Sequence, residues 1–493
     1  MGLGLCQKRV WEVIRYSHDG ETELVPLVHA LEHHSQLRHE GHEVCTKEKC
    51  EHAHRDYTSV QQLHKCPNSK KCVATTDNMF NQSRLVEALN GSTMTTAWTL
   101  NGMSLLAQDR SFLAVSHVWS DGTGNGSWEP GKVNKCLWDF WVKIARDLRC
   151  NGVWWDTICI PRNDTTRAQA LNKMHRNYAH AKCTVVHDLY LAGIEWRDDG
   201  SPCIALVLSP WFSRAWTALE LLLSKRVFIL FRKGDGYTLK DLDKEVLAQH
   251  QFLDSHAHWI ATHAVERLRD PDKTLTHNKE ILSVLHARQT SRDTDRSIIA
   301  GLMCGLTEHA ALSEEDITKQ ILLELGNIDQ RCLFHGQPTM SEPQFSWCPP
   351  RFLDLPAGGN SNQMQVRPNG TVYGLWEIWY IPSKLNVDKS VVQPSKVEAG
   401  MYKVRQALQH PEHCVILKSV QFDFKGLLVR LKDYKEADKV SRKKHYMHCE
   451  YIGLVDVNPS EVRQHGDPLL VNVVIGYEPE MVNVRAVDWK PKG

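Results

Sequence analysis

The chain has 493 residues, 42% hydrophobic and 24% charged, with 29 glycines and 20 prolines, the balance of a globular protein rather than a disordered or collagen-like one. Lys and Arg total 59 against 58 Asp and Glu, a net charge of +1 with no block of five or six like charges, so nucleic acid is not the expected partner. Apolar runs such as Val227–Phe231 and Ile204–Leu208 fall far short of the roughly 18 residues that span a bilayer, so no membrane span is expected. The opening residues MGLGLCQKRV lack the apolar stretch of a secretory signal, and Cys6 stands where a myristoylation motif carries Ser or Thr. Of the 15 cysteines, all but Cys45, Cys50, Cys66 and Cys72 are scattered singly through helix-like or strand-like segments, the usage of reduced thiols in a cytoplasmic protein.

Residues 1–105 alternate His-rich and Cys-rich polar stretches with short helical patterns, including Arg84–Leu89 ahead of the Asn90-Gly91 turn, and predict an irregular Cys/His-rich N-terminal module. Phe112–Val118 predicts a buried strand, followed by the turn-rich Ser120–Gly126 and a Trp-studded helical segment, Cys136–Leu148. Gly152–Ile160 predicts a second strand, closed by Pro161. Leu171, Met174, Tyr178 and Ala181 recur at intervals of three and four and mark one face of a helix. Thr184–Asp188 predicts a third strand. Ser209-Pro210 reads as an N-cap and N1 pair for a helix carrying Ala215, Trp216, Leu219, Leu222 and Leu223, and Arg226–Phe231 as a fourth strand. Strands alternating with helices predict an α/β domain over 106–235, a parallel sheet flanked by helices. Residues 236–330 read as a helical extension and 331–493 as a β-rich region, with a hairpin turn at Pro368-Asn369-Gly370 and strands at 375–381, 414–424, 446–455 and 469–475.

Several blocks within 112–231 carry a resemblance: Ser116-His117-Val118-Trp119-Ser120-Asp121-Gly122, Trp155–Pro161, Met174 with Tyr178 and Ala181, Asp188, and Ser209–Thr217 with Glu220. In this order they resemble the fungal heterokaryon-incompatibility (HET) domain. Arg288–Leu306 and Phe345–Pro350 resemble the C-terminal extension of larger members. Ala218-Leu219-Glu220 departs from the more usual Leu-Gln-Glu and keeps the carboxylate. The resemblance implies a role in fungal non-self recognition, in which an activated HET domain triggers death of fused, genetically unlike cells. HET domains are in turn similar to TIR domains, some of which cleave NAD with a glutamate that follows a Ser…Trp…Glu-Leu pattern. Ser209, Trp211 and Glu220-Leu221 match that pattern. The resemblance therefore implies a TIR-like or flavodoxin-like sheet, with NAD or a related nucleotide as substrate rather than cofactor.

Cleavage between nicotinamide and ribose passes through an oxocarbenium-like centre, so such a site needs a carboxylate beside the ribose. Glu220 is the catalytic candidate, and Trp216, four residues before it, is expected to desolvate it or stack on nicotinamide. The plain alternative is a helix carboxylate paired with Arg214 or Lys225. Ligands of parallel sheets bind at the carboxyl ends of the strands, which places His117, Trp119, Ser120, Asp121 and Gly122 at the mouth. The loop they belong to either offers backbone N–H groups to phosphate or is a solvated turn. Asp156 and Asp188 end the next strands and either meet a ribose hydroxyl or cap the following element or pair with Arg214. Trp154 and Trp155 read as core, and Cys159, in an apolar Ile-Cys-Ile-Pro setting, as an unreactive thiol.

Cys45, Cys50, Cys66 and Cys72, with His52 and His54, supply ligands for a structural zinc, four of the six closing a tetrahedron; the alternative is free surface thiols with incidental histidines. His33 and His34 are also in reach, which leaves the ligand set open. Lys65, Lys70 and Lys71 beside these cysteines suggest a zinc-dependent nucleic-acid binder, against which the near-zero net charge weighs. A second functional reading is a non-enzymatic death-signalling module that assembles with itself or with a protein partner. Exposed Trp128, Trp138 and Trp141 would then be interface candidates. The β-rich region reads as a sensing or autoinhibitory domain.

Overall fold

The computed structural model describes residues 6–16, 28, 29, 37, 41–47, 49–51, 60–91, 95–124, 131–248, 256–269, 277–357, 363–380, 392–394, 401–418, 425–435, 446–457 and 469–476. They fall into two units, one within 1–274, 284–302 and 307–311, the other within 275–283, 303–306 and 312–493. Among the described residues no helix is long and apolar enough to cross a membrane.

The first unit is built on six strands: β1 (Trp98–Thr99), β2 (Phe112–His117), β3 (Gly152–Trp155), β4 (Cys183–His187), β5 (Val227–Lys233) and β6 (Gly236–Asp241). Their spatial order is β1-β3-β2-β4-β5-β6. The inner four run parallel, and β1 and β6 add antiparallel edges. Every residue of β2, β3 and β4 is buried, as expected where helices cover both faces of a parallel sheet and strands read as continuous apolar runs. Its helices include α1 (Gln7–Tyr16), α2 (Gln82–Asn90), α3 (Lys135–Asp147), α4 (Asp156–Cys159), α5 (Asp164–His180), α6 (Leu189–Gly193), α7 (Ser201–Leu208) and α8 (Ala215–Leu223), with His256–Glu266 and most of Asp293–Met303 later in the chain.

Three local expectations are corrected. The second strand stops at Trp155, and Asp156–Cys159 form a helical turn held by tertiary bonds, Trp98 Nε1 to the Ile158 carbonyl (3.3 Å) and Cys159 Sγ to the Thr96 carbonyl (3.3 Å). A short apolar run does not distinguish strand from buried helix. Ser209-Pro210 opens no helix: Ser209 ends α7, donating its hydroxyl to the Leu206 carbonyl at 2.6 Å, and α8 starts at Ala215. α7 itself is buried on all sides, so it shows no amphipathic period. Residues 236–241 form β6 rather than helix, pairing with β5 through a turn at Gly234 (φ +57°).

The second unit holds β7 (Asn327–Asp329), β8 (Gln363–Val366), β9 (Val372–Tyr380), β10 (Val392–Pro394), β11 (Cys414–Lys418), β12 (Lys425–Lys435), β13 (Tyr446–Val457) and β14 (Leu469–Ile475). β9, β11, β12, β13 and β14 close on themselves, because β14 pairs parallel with β13 and antiparallel with β9, forming a barrel. The helix Met401–Leu408 lays Val404 and Ala407 against Trp379, Ile416, Leu428 and Val455. Gly370 (φ +88°) supplies the left-handed residue of the Pro368-Asn369-Gly370 turn between β8 and β9.

Candidate functional site

The chain leaves β2 for β3 on one side and returns to β4 on the other, so the carboxyl ends of β2 and β4 border the point where the winding reverses. In open α/β sheets that crevice is where ligands sit. Ser116 and His117 end β2 there. The Ser116 hydroxyl donates to the Glu220 carboxylate of α8 and accepts from Trp211 Nε1 at 2.6 Å. His117 Nε2 lies 2.6 Å from Asp156 Oδ1 and 3.2 Å from Trp155 Nε1, while its Nδ1 faces the Val118 carbonyl at 3.2 Å. Trp119 Nε1 donates to the other Asp156 oxygen at 3.0 Å. Beneath them the Tyr178 hydroxyl donates to the Val115 carbonyl at 3.2 Å.

The two carboxylates shift in opposite directions. Burial pushes Glu220 up to about 7, against the opposing hydrogen bond from Ser116. Burial also disfavours the charged form of Asp156, but His117 outweighs it and holds this carboxyl below its usual value. Reciprocally, burial of His117 is overcome by Asp156, and its pKa rises. The site thus combines a histidine–carboxylate pair, joined at 2.6 Å, with a carboxyl raised to about 7.

Other sequence candidates are occupied differently. Asp188 caps α6, accepting from the backbone N–H groups of Tyr190 (2.7 Å) and Leu191 (3.4 Å), and its second oxygen accepts from Trp211 N at 2.8 Å. This is the capping alternative, and it positions the Trp211 indole. Asp121 accepts from Thr123 N (2.8 Å) and Leu189 N (3.1 Å), and Gly122 N donates to the Trp119 carbonyl at 3.1 Å. The Ser120–Gly124 turn therefore spends the N–H groups of Gly122 and Thr123 on itself rather than presenting them to phosphate. It is also closed from outside: Gly122 O accepts from Leu63 N at 3.0 Å, and a Cβ on Gly124 would collide with His117 Cε1. Asn125 and Gly126 lie outside the described residues.

Trp216 turns to Asp295, donating at 2.9 Å, so the indole joined to Glu220 through Ser116 is that of Trp211. Trp138 and Trp141 are core residues, not exposed interface candidates, because α3 buries that face against the sheet; Trp128 lies outside the described residues. Cys159 is buried, and burial pushes its thiol up. His187, not singled out from the sequence, ends β4 with Nδ1 2.9 Å from Thr123 Oγ1 and a buried Nε2 that meets no partner. Its one sequence signal is its place beside Asp188 at a strand end.

Next to the network lies a cavity of about 180 Å³ whose walls include Lys8, Arg9 and Glu12 of α1, together with Ser120 and Arg214. Lys8 and Glu12 pair at 3.1 Å. The wall carries three cationic side chains against one carboxyl, which burial raises to about 7. Glu220, Asp156 and Asp188 do not line it.

The sequence-predicted metal cysteines divide between two groups, Cys6, His42, Cys45 and Cys50, and His64, Cys66, Cys72 and Cys136. Each group keeps its donor atoms within 4.8 Å of one another and could hold a metal ion such as zinc. The single cluster read from the sequence is corrected on this point: Cys6 and Cys136 sit singly in helix-like segments and join only in three dimensions. His52, His54, His33 and His34 lie outside the described residues.

Residues 112–190 match the family model described as "Heterokaryon incompatibility protein (HET)". The matched segment runs from β2 into α6 and includes Ser116, His117, Asp156, Tyr178 and Asp188; Trp211, Arg214 and Glu220 follow it. No curated protein and no solved structure matches the chain.

Proposed function

We propose, from the premise that residues 112–190 carry a HET domain, that this protein acts in fungal non-self recognition and programmed cell death by cleaving NAD or a related nucleotide. The observation that carries the reading is the Ser116–Glu220 pair, a carboxyl with a pKa near 7 at the end of the central strand. Its strand order supports a TIR-like or flavodoxin-like ancestry: counted along the chain, the parallel strands β3-β2-β4-β5 lie in the order 2-1-3-4.

In this reading the C1′–N1 bond breaks, its electron pair leaves with nicotinamide, and the ionised Glu220 stabilises the oxocarbenium until water adds at C1′ and releases its proton to solvent. Ser116 and Trp211 fix the carboxylate, and the His117–Asp156 pair stands at the same strand end. Lys8, Arg9 and Arg214 would meet the nucleotide's phosphates. Ser120, which lines the cavity, and Trp119 beside it would border the ribose. The Cys/His groups serve structure and not the reaction.

The test is nicotinamide release from NAD by the full chain and by Glu220→Gln. The expected result is turnover in the wild type and a loss of about 10²–10³-fold in the variant, with activity in the wild type rising through pH 7 as Glu220 ionises. Equal turnover in the two proteins removes Glu220 from the chemistry.

One observation favours the alternative, a non-enzymatic module acting by self-assembly or partner binding: Glu220 is 6% exposed and lies outside the cavity. Concentration-dependent assembly that persists in Glu220→Gln, with no nucleotide consumed, is the result that selects it.

A further inference from the structure

Eight side chains in the first unit take no part in the cleft chemistry yet converge in two groups of four. Cys6 precedes α1, and His42, Cys45 and Cys50 belong to one short loop; all four are buried. Cys45 Sγ lies 3.4 Å and Cys50 Sγ 3.6 Å from His42 Nδ1. In the other group Cys72 Sγ lies 3.5 Å from Cys136 Sγ, and His64 Nδ1 stands 3.9 Å from Cys136 Sγ and 4.0 Å from Cys66 Sγ. Zinc bonds of about 2.3 Å to sulfur and about 2.0–2.1 Å to nitrogen, arranged tetrahedrally, separate the ligand atoms by about 3.5–3.8 Å. These five separations, 3.4–4.0 Å, stand near those edge lengths, and all donor atoms of each group lie within 4.8 Å of one another. The 3.5 Å between Cys72 and Cys136 is far from a disulfide bond of about 2.05 Å.

The backbone around each group is shaped to the same end. Between Cys45 and Cys50 the loop closes on itself, Thr46 N donating to the Lys49 carbonyl at 2.9 Å. Between Cys66 and Cys72 the short turn Ser69–Lys71 is capped by the Asn68 side chain, which accepts from Lys70 N at 3.1 Å. Lys65 N donates to Cys136 Sγ at 3.2 Å, a bond that spreads thiolate charge and orients a metal ligand. The apolar cluster at the first group consists of Cys6, Cys45 and Cys50 themselves. Three thiols bury too little apolar surface to order that loop by hydrophobic burial alone.

We propose that the protein binds two structural zinc ions, one held by Cys6, His42, Cys45 and Cys50, which ties the loop of His42 to the start of α1, and the other by His64, Cys66, Cys72 and Cys136, which fastens the 64–72 segment to α3 of the α/β domain. Four protein ligands at each ion leave no open position, so neither is catalytic. The second ion joins the 64–72 loop to Cys136 in the first turn of α3. That junction bears on the cleft, because the neighbouring residues 62 and 63 receive Asn134 Nδ2 at their carbonyls (3.2 and 3.0 Å) and Leu63 N holds Gly122. The first ion fixes His42 and Cys50, which line the cavity with Lys8 and Arg9.

This inference does not rest on nucleotide cleavage, and its readouts use no nucleotide. Elemental analysis of the full chain, purified without chelator, is expected to return two zinc ions per chain, one in Cys45→Ser, one in Cys136→Ser and none in the double variant. Because a ligand variant can misfold, the wild type is also titrated with a mercurial thiol reagent and a zinc dye, which should report release of two ions. Cobalt-loaded wild type should show the absorption of tetrahedral thiolate sites. Chelation should raise hydrogen exchange at 6–16, 41–51, 60–72 and Gly122 while β9 and β11–β14 stay protected. Wild-type protein with fewer than two zinc ions per chain, two ions retained in the double variant, or disulfides at these cysteines overturns the proposal.

Discussion

Two carboxyl groups approach the end of β2 from different elements, Asp156 from α4 and Glu220 from α8, and burial acts on both, yet they titrate in opposite directions. Asp156 meets the His117 imidazole at 2.6 Å and the Trp119 indole at 3.0 Å, so its charge is compensated and its pKa falls. Glu220 meets a neutral hydroxyl, which compensates less than burial costs, and its pKa rises to about 7. The Asp156 side, with its satisfied charge, contributes stability. The Glu220 side carries a carboxyl whose ionisation opposes folding, the pattern expected where a residue is retained for chemistry.

The largest effect expected from breaking this contrast is on the compensated side. Asp156→Asn leaves His117 buried without its counter-charge and should cost about 3–5 kcal/mol. The stability that the raised His117 pKa provides is present below its unfolded value and is lost as pH rises through the folded one, so the cost should be larger at pH 6 than at pH 9. Denaturant unfolding at the two pH values measures it, and a cost that does not change with pH would mean that His117 is neutral in the fold.

On the other side the sign reverses. Glu220 has a raised folded pKa, so it contributes stability below its unfolded value near 4.5 that is lost as pH rises to about 7. A shift of that size corresponds to about 3 kcal/mol. Glu220→Gln should therefore unfold at higher denaturant than wild type at pH 8 and show little difference at pH 4, while losing turnover. A variant destabilised at pH 8 would place Glu220 with the structural carboxylates.

The smallest effect separates the two tryptophans near α8. Trp216→Phe removes one hydrogen bond, to Asp295, and should cost about 1 kcal/mol in unfolding with turnover changed less than twofold. A large activity loss would return Trp216 to the site.

Much of the sheet was legible because its strands are short apolar runs between turn signals, and the alternation of Phe112–Val118, the helix around Met174 and Thr184–Asp188 already implied parallel strands. Glu220, His117 and Asp156 were legible as strand-end and helix residues of a resembling family. Which indole serves Glu220 was not. Trp216 is four residues away along the chain and is therefore the local neighbour on the helix, whereas Trp211 reaches Ser116 from a loop whose path is set by Asp188. Likewise the buried α7, apolar on every side, carries no period to read.

By itself, the sequence determined the elements with a regular hydrophobic period, the order in which strands and helices alternate, and the presence of carboxylates near the strand ends and of thiol-rich loops. Only the tertiary structure decided that the four recognised cysteines belong to two groups, one completed by Cys6 and His42 and the other by His64 and Cys136, and that the Gly-rich turn is closed over His117. The physical reason is one of range. Periodicity and capping act within a few residues and leave a local signature, whereas Cys72 and Cys136, 64 residues apart in the chain, are brought to 3.5 Å by packing that no short stretch encodes.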